Sequence, residues 1–175
     1  MTEVKLVPPS PLWPALAQAE ADRFAQALGD NLVAIHHIGS TSIAGIWAKP
    51  IIDLLPEVSS LELLDLARPH IEALGYEYWG EYGLPGRRFC PRRVDGLRRV
   101  NVHCYQSGQS ELHRHLAFRD YLRAHPQVAL AYQQEKLRCR DLCPEDAFAY
   151  TECKSDWIKA TERAALAWQQ PGLPP

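Results

Sequence analysis

Between His36 and Asp53 the chain reads HHIGSTSIAGIWAKPIID, a run whose residue types can handle phosphate. Gly39-Ser40-Thr41-Ser42 joins a residue free to turn sharply to three hydroxyls, and such a turn presents backbone N–H groups and side-chain donors to an anion. Lys49 can reach the same anion from the far side. Asp53 follows on an apolar segment, Ile51-Ile52-Asp53-Leu54-Leu55, where a buried carboxylate needs a cation or hydrogen-bond donors. Its expected role is therefore to ligate Mg²⁺ or Mn²⁺. Further along, His103 has the chemistry of a second metal ligand or a general acid/base, and Arg88 that of a charge stabiliser for phosphate. Lys136 and Lys154 can reach a polyanionic ligand from the C-terminal part of the chain.

Each of these has a plainer alternative. A glycine–serine turn needs no ligand, Asp53 can pair with a lysine or arginine, and His103 can be a hydrogen-bonded core residue. Arginines on a hairpin are often a solvated face, and lysines on helices often make ion pairs between helices.

The elements that must position these residues can be read from the pattern. Leu32 to Ile38 alternates like a strand, and Pro50 to Leu55 reads as a second strand stopped by Pro56. Ahead of them Trp13, Ala17, Ala21, Phe24 and Leu28 recur at three and four residues and predict a helix ended by Gly29. Leu61, Leu64, Ile71 and Leu74 mark a helical stretch closed by Gly75, in which Pro69 either kinks the helix or starts a fresh turn. Tyr76 to Trp79 reads as a third strand. Arg87 to Val94 and Leu97 to Tyr105 flank Asp95-Gly96, the pair preferred in a type I′ hairpin, and between Arg87 and Arg99 six arginines face one acid. Helices are expected from Ser110 to Arg123, from Pro126 to about Arg140 and from Pro144 to about Trp168, with a frayed end beyond.

Taken together, these segments predict an α+β fold: a mixed sheet of four or five strands with packed helices and a C-terminal helical half. One domain is expected, with the sheet half over about 12–108 and the helical half over about 110–168.

Several blocks resemble the GrpB family: Ile38-Gly39-Ser40-Thr41-Ser42 with Ala44-Gly45, Ala48-Lys49-Pro50-Ile51-Ile52-Asp53, Val102-His103, Phe118-Arg119-Asp120-Tyr121-Leu122-Arg123 with Pro126, and the Tyr150/Lys154 pair. The turn ahead of a strand aspartate is also similar to the nucleotidyltransferase superfamily that includes DNA polymerase β. The resemblance implies a nucleotidyltransferase-like sheet, a nucleoside triphosphate held at Gly39, Ser40 and Lys49, a metal on Asp53, and nucleotidyl transfer to an acceptor it does not name. One departure bears on that chemistry. Those enzymes carry a second acid two residues after the first on the same strand face, and here that position is Leu55. On the hairpin strand Asn101 and His103 stand where a third acid is expected. The alternative is a catalytically inactive module that binds a nucleotide or a coenzyme A-related ligand, in keeping with the GrpB-like domains found joined to dephospho-coenzyme A kinase.

Composition narrows the partners. A chain of 175 residues can bury about 70% of its unfolded surface without staples. Its net charge of −2 argues against a protein that coats nucleic acid, which must neutralise many phosphates at once. No apolar run approaches a membrane span. Five cysteines without a CxxC pair, and the lack of an apolar leader, predict reduced thiols and a cytoplasmic location. The expected partner is a nucleotide or other phosphorylated small molecule.

Overall fold

A computed structural model describes residues 3–169 of the chain, which divide into two compact units. The sheet unit takes residues 10–42 and 51–113; the helical unit takes the described residues of 1–9, 43–50 and 114–175. Of the expected frayed end, residues 170–175 lie outside the described residues.

The sheet unit opens with helix α1 (Trp13–Ala25), started by Pro14 and burying Trp13, Ala17 and Phe24 on the face its spacing predicts. Gly29, at φ +51, ends that stretch and leads into strand β1 (Leu32–Ile38). Strand β2 (Ile52–Val58), helices α2 (Leu61–Leu66) and α3 (Arg68–Ala73), and strands β3 (Arg88–Val94) and β4 (Leu97–Gln106) complete the unit. The sheet has the order β1-β2-β4-β3, antiparallel at both outer pairs and parallel between β2 and β4, so it is the mixed sheet expected, with four strands. Asp95 (φ +52) and Gly96 (φ +76) both turn left-handed between β3 and β4, as a type I′ hairpin requires. Phe24, Leu54, Leu64, Ile71 and Val102 are fully buried in this unit.

Three local expectations are corrected. Pro56 does not stop β2: it pairs with Ile35 of β1, and the parallel ladder to β4 skips Leu55 and Pro56, so the missing N–H falls where no β4 partner is registered. Tyr76 to Trp79 is not a strand. It runs beside β3 without forming a regular ladder: Tyr76 bridges Arg92, and the N–H groups of Glu77 and Trp79 donate to the Pro91 and Phe89 carbonyls at 2.8 and 2.9 Å, while the Tyr76 hydroxyl donates to Glu20 Oε2 at 2.6 Å. Pro69 starts a fresh helix rather than kinking one, consistent with proline's fixed φ at a first turn.

The helical unit contains helix α4 (Ser110–Ala124) from Arg114 onward, then α5 (Pro126–Leu142), α6 (Ala147–Cys153) and α7 (Ser155–Trp168). The single helix expected from Pro144 to Trp168 is thus two. Asp146 caps the first of them by accepting from the N–H groups of Phe148 and Ala149, and the break falls at Lys154. Ile43 and Ile46 pack with Leu122, Ala129 and Tyr132, while Val4 and Leu6 pack with Cys139 and Tyr150. Val7 and Ala48 exchange both backbone hydrogen bonds, at 2.9 and 3.1 Å.

The expectation of wholly reduced cysteines is also corrected: Cys139 on α5 is bonded to Cys153 at the end of α6, their Cα atoms 5.7 Å apart and 14 residues apart in sequence. Nothing in the spacing of five cysteines identifies that pair, since helix packing brings it together. Closing a loop of about 15 residues is worth up to about 3 kcal/mol through the unfolded chain. Urea denaturation with and without a phosphine reductant should show a loss approaching that size, and Cys153→Ser should show the same loss and no response to reductant. Among the described residues no helix is long and apolar enough to cross a membrane.

Candidate functional site

Sheet register assembles the site in the sheet unit. Ile38 pairs with Asp53, and Asp53 pairs with Asn101, so the end of β1, the start of β2 and the middle of β4 meet at one place. The chain then turns at Gly39, φ +71, into the short 3-10 turn Ser40–Ser42. Only a residue without a side chain fits there: a Cβ on Gly39 would lie 2.6 Å from Asp53 Oδ2 and 3.0 Å from Asp53 Cβ. The turn thus lies directly against the carboxylate.

The three hydroxyls of the turn have different surroundings. Thr41 is buried and its Oγ1 is 2.9 Å from His37 Nε2, and Ser42 Oγ donates to the Gly39 carbonyl at 2.7 Å. Among the described residues Ser40 has no side-chain hydrogen bond, which makes it the hydroxyl available to a ligand.

Asp53 and His103 meet. Asp53 Oδ1 accepts from Asn101 Nδ2 at 2.9 Å and lies 3.4 Å from His103 Nε2. On the other side of the imidazole, Arg87 Nη1 is 3.5 Å from Nδ1. A guanidinium can only donate, so Nδ1 accepts, and Nε2 carries the proton that points at Asp53. This leaves Asp53 Oδ2 without a hydrogen-bond partner among the described residues. Asn101 Oδ1 is likewise buried without one.

Arg88, the arginine expected at phosphate, is elsewhere: it makes a bidentate pair with Asp65 at 2.6 and 2.8 Å, and this hydrogen bonding holds the Asp65 carboxylate below its usual range. Alternation explains the difference. Phe89 pairs with His103, so residues of odd number share its face and Arg88 points away. Arg87 is the residue at the site, 8% exposed, held by the carbonyls of Glu81 and Tyr82 and lying 5.0 Å from the Phe89 ring. Burial lowers its pKa from the ordinary arginine value. Counting by two from His103 through its β3 partner is the sequence signal that would have selected it. Of the other hairpin arginines, Arg92 is held by Glu20, Arg93 by Glu77, and Arg98 lies 4.9 Å from the Trp79 ring. The exposed Tyr82 ring stacks on Phe89 at 5.4 Å, beside Arg87. Sequence reading did not single it out.

The donor set limits what cation could be held. Asp53 supplies the one carboxylate, with its Oδ2 unengaged, and His103 Nε2 is near its other oxygen. Leu55 is fully buried at the position of a second acid, and Glu57, two residues further, accepts from Ser107 at 2.7 Å. These residues fit a single divalent ion whose remaining ligands come from a phosphorylated ligand and water, the usual manner of Mg²⁺. They do not fit a pair of metals bridged by carboxylates. Glu135, Cys139 and Cys153 bring three ligand-type atoms within 4.8 Å of one another, but the two sulfurs are bonded to each other and offer no thiolate.

Lys49, Lys136 and Lys154 belong to the helical unit, where Lys49 and Lys154 lie against Tyr150 and Lys136 against Tyr132. Lys49 Nζ is 4.4 Å and Lys154 Nζ 5.1 Å from the centre of the Tyr150 ring. Lys136 is 2% exposed and donates to the Trp47 carbonyl.

Fold and site together describe an α+β protein with a glycine–hydroxyl turn set against a strand carboxylate. The family model described as GrpB protein matches residues 3–164, and the chain belongs to the GrpB family. It is 40% identical over 158 residues to the UPF0157 protein YqkA of Bacillus subtilis, a match covering 90% of this chain and 46% of that protein. The crystal structure of conserved protein GrpB from Enterococcus faecalis matches with a TM-score of 0.89 and 38% identity, over 94% of this chain and 99% of that one. A dephospho-CoA kinase of Mycolicibacterium paratuberculosis is 30% identical over 190 residues, covering 94% of this chain and 46% of the kinase. The chain therefore spans less than half the length of YqkA and of that kinase.

Proposed function

We propose that the sheet site binds a nucleoside triphosphate with one divalent cation, and that the reaction it suits is nucleotidyl transfer. The observation that carries this reading is the contact between the Gly39 turn and Asp53, which sets an unengaged carboxylate oxygen against the turn that continues into Ser40. In this reading Ser40 and Arg87 hold phosphate oxygens, Asp53 Oδ2 holds the cation, and the Tyr82 ring offers a flat surface for the base. His103, its proton directed at Asp53, is placed to exchange a proton with a reacting hydroxyl. A bound divalent ion would supply charge neutralisation on the phosphates. The name of the dephospho-CoA kinase relative is consistent with a phosphorylated, nucleotide-like ligand for this family.

A second reading is favoured by the buried Leu55: the site binds a nucleotide or coenzyme A-related ligand and performs no transfer.

Thermal-shift titration separates the two. Wild type and Asp53→Asn are titrated with the four nucleoside triphosphates, coenzyme A and dephospho-coenzyme A, each with and without Mg²⁺ or Mn²⁺. A ligand at about 100 times its dissociation constant adds roughly 2.7 kcal/mol, on the order of 5 to 10 °C for a chain of this size. The first reading expects a metal-dependent shift with a triphosphate that disappears in Asp53→Asn. Metal-independent shifts of equal size in both proteins would overturn the role of Asp53 and support the second.

A further inference from the structure

We propose that Glu135, Cys139 and Cys153 form a binding site for Zn²⁺ once the bond between the two cysteines is reduced, so that disulfide and metal are alternative ways of tying α5 to the end of α6. The site lies wholly in the helical unit and does not depend on the sheet site. Glu135 and Cys139 are four residues apart on α5 and therefore share a face of that helix. Helix packing sets Cys153, the last residue of α6, against them. One carboxylate oxygen and the two sulfurs all lie within 4.8 Å of one another. Tetrahedral zinc, with Zn–S bonds of about 2.3 Å, holds two sulfurs about 3.8 Å apart. Thiols whose Cα atoms are 5.7 Å apart reach that separation by side-chain rotation.

A cation already marks the place. Arg138 Nη2 donates to Glu135 Oε1 at 2.6 Å and lies 3.5 Å from Cys139 Sγ and 3.4 Å from Cys153 Sγ, so a single charged nitrogen meets all three ligand-type atoms. The Arg138 side chain is more than half exposed, whereas that of Glu135 is mostly buried and Cys139 is fully so. The guanidinium can therefore swing outward and leave its position to an ion. Two thiolates and a carboxylate carry three negative charges, which Zn²⁺ and Arg138 at its edge balance. Two soft sulfurs with one oxygen select zinc over Mg²⁺ or Mn²⁺, and three protein ligands leave a fourth position to water. The chemistry takes two steps. A dithiol reductant passes two electrons and two protons to the sulfurs and leaves as a disulfide. Each thiol then gives its proton to solvent as its sulfur bonds to the ion. Oxidation by a disulfide reverses both steps and expels the ion.

Cobalt titration of the full chain, kept reduced by a phosphine under nitrogen, tests this, because Co²⁺ bound to thiolate shows an ultraviolet charge-transfer band that a site of oxygen and nitrogen lacks. The reduced chain should develop that band with Co²⁺ and lose it when Zn²⁺ is added, and the oxidised chain should show none. A cation held at Asp53 gives no such band. Asp53→Asn should therefore behave as wild type does, and failure of the sheet site leaves this result untouched. Competition against a chromogenic chelator then measures the zinc affinity of the reduced chain. Cys153→Ser and Glu135→Gln should each weaken it by more than the roughly 10–100-fold that loss of a group orienting a ligand costs. Glu135→Gln leaves both cysteines in place, which keeps the test valid if Cys153→Ser folds poorly. Cys143→Ser removes the free thiol one turn beyond Cys139, which is outside the group, and should bind zinc as wild type does. Zinc should also restore the urea midpoint that reduction lowers, and should not do so in Cys153→Ser. No thiolate band in the reduced chain, the same band in the oxidised chain, zinc affinity unchanged in Glu135→Gln, or binding lost in Cys143→Ser would overturn the proposal.

Discussion

Gly39→Ala is expected to cost about 2–4 kcal/mol of stability and to abolish ligand-dependent stabilisation with it. Two effects add. An alanine at φ +71 pays the left-handed penalty of about 1–2 kcal/mol. Its methyl would also lie 2.6 Å from Asp53 Oδ2 and 3.0 Å from Asp53 Cβ. The carboxylate can swing away, but Cβ moves only with the β2 backbone, and that strand is hydrogen-bonded on both sides. Gly29→Ala is the control, because Gly29 also has positive φ, +51, but open space where a Cβ would go. It should lose only the backbone penalty of about 1 kcal/mol. Urea midpoints for the two variants measure the difference, and equal losses would mean that the turn does not press on Asp53.

Lys136→Met is expected to stabilise the ligand-free protein, by about 2–4 kcal/mol at pH 6, by removing a charge from a site that cannot solvate it. The pH dependence carries the sign. In the folded protein the amine titrates at about 7, against an ordinary lysine value of 10.5. Between those values the unfolded chain holds a proton that the folded chain does not. Wild-type stability therefore climbs from pH 7 toward pH 10.5, and the full penalty applies below 7. Each tenfold loss of proton affinity is worth about 1.36 kcal/mol, so the gross penalty is about 5 kcal/mol, part of which the methionine variant forfeits by losing the bond to Trp47. Urea melts from pH 6 to 10 should show this contribution to the rise in wild type and its absence in Lys136→Met. The same pH dependence in wild type and Lys136→Met would mean that the amine stays charged and paired across that window.

Local signals in the chain carry much of this architecture. β1 begins and ends where its alternation does, and Asp95-Gly96 makes the hairpin its composition demands, because both depend on backbone conformation over a few residues. Gly39, Asp53 and His103 come together from the same logic: turn, strand end and opposite strand are all set by register. Other features depend on distant partners. Whether Pro56 interrupts β2 is decided by the ladder on β4, and whether Arg88 or Arg87 faces the site by the pairing of Phe89 with His103. The break of the last helix at Lys154 and the union of Cys139 with Cys153 follow from helix packing in the same way. No short window of sequence contains those partners.

The order in which the chain visits its two units limits how a gene for it can be cut. It leaves the sheet unit after Ser42, spends residues 43–50 in the helical unit, and returns at Ile51 just ahead of Asp53. No single breakpoint separates sheet from helices. Truncation at residue 113 would leave Ile43 and Ile46 without Leu122 and Tyr132 to cover them, and would remove Lys136 and Lys154 while keeping Lys49. A cut that keeps either unit whole must therefore keep the segment 43–50 together with the helices it packs on.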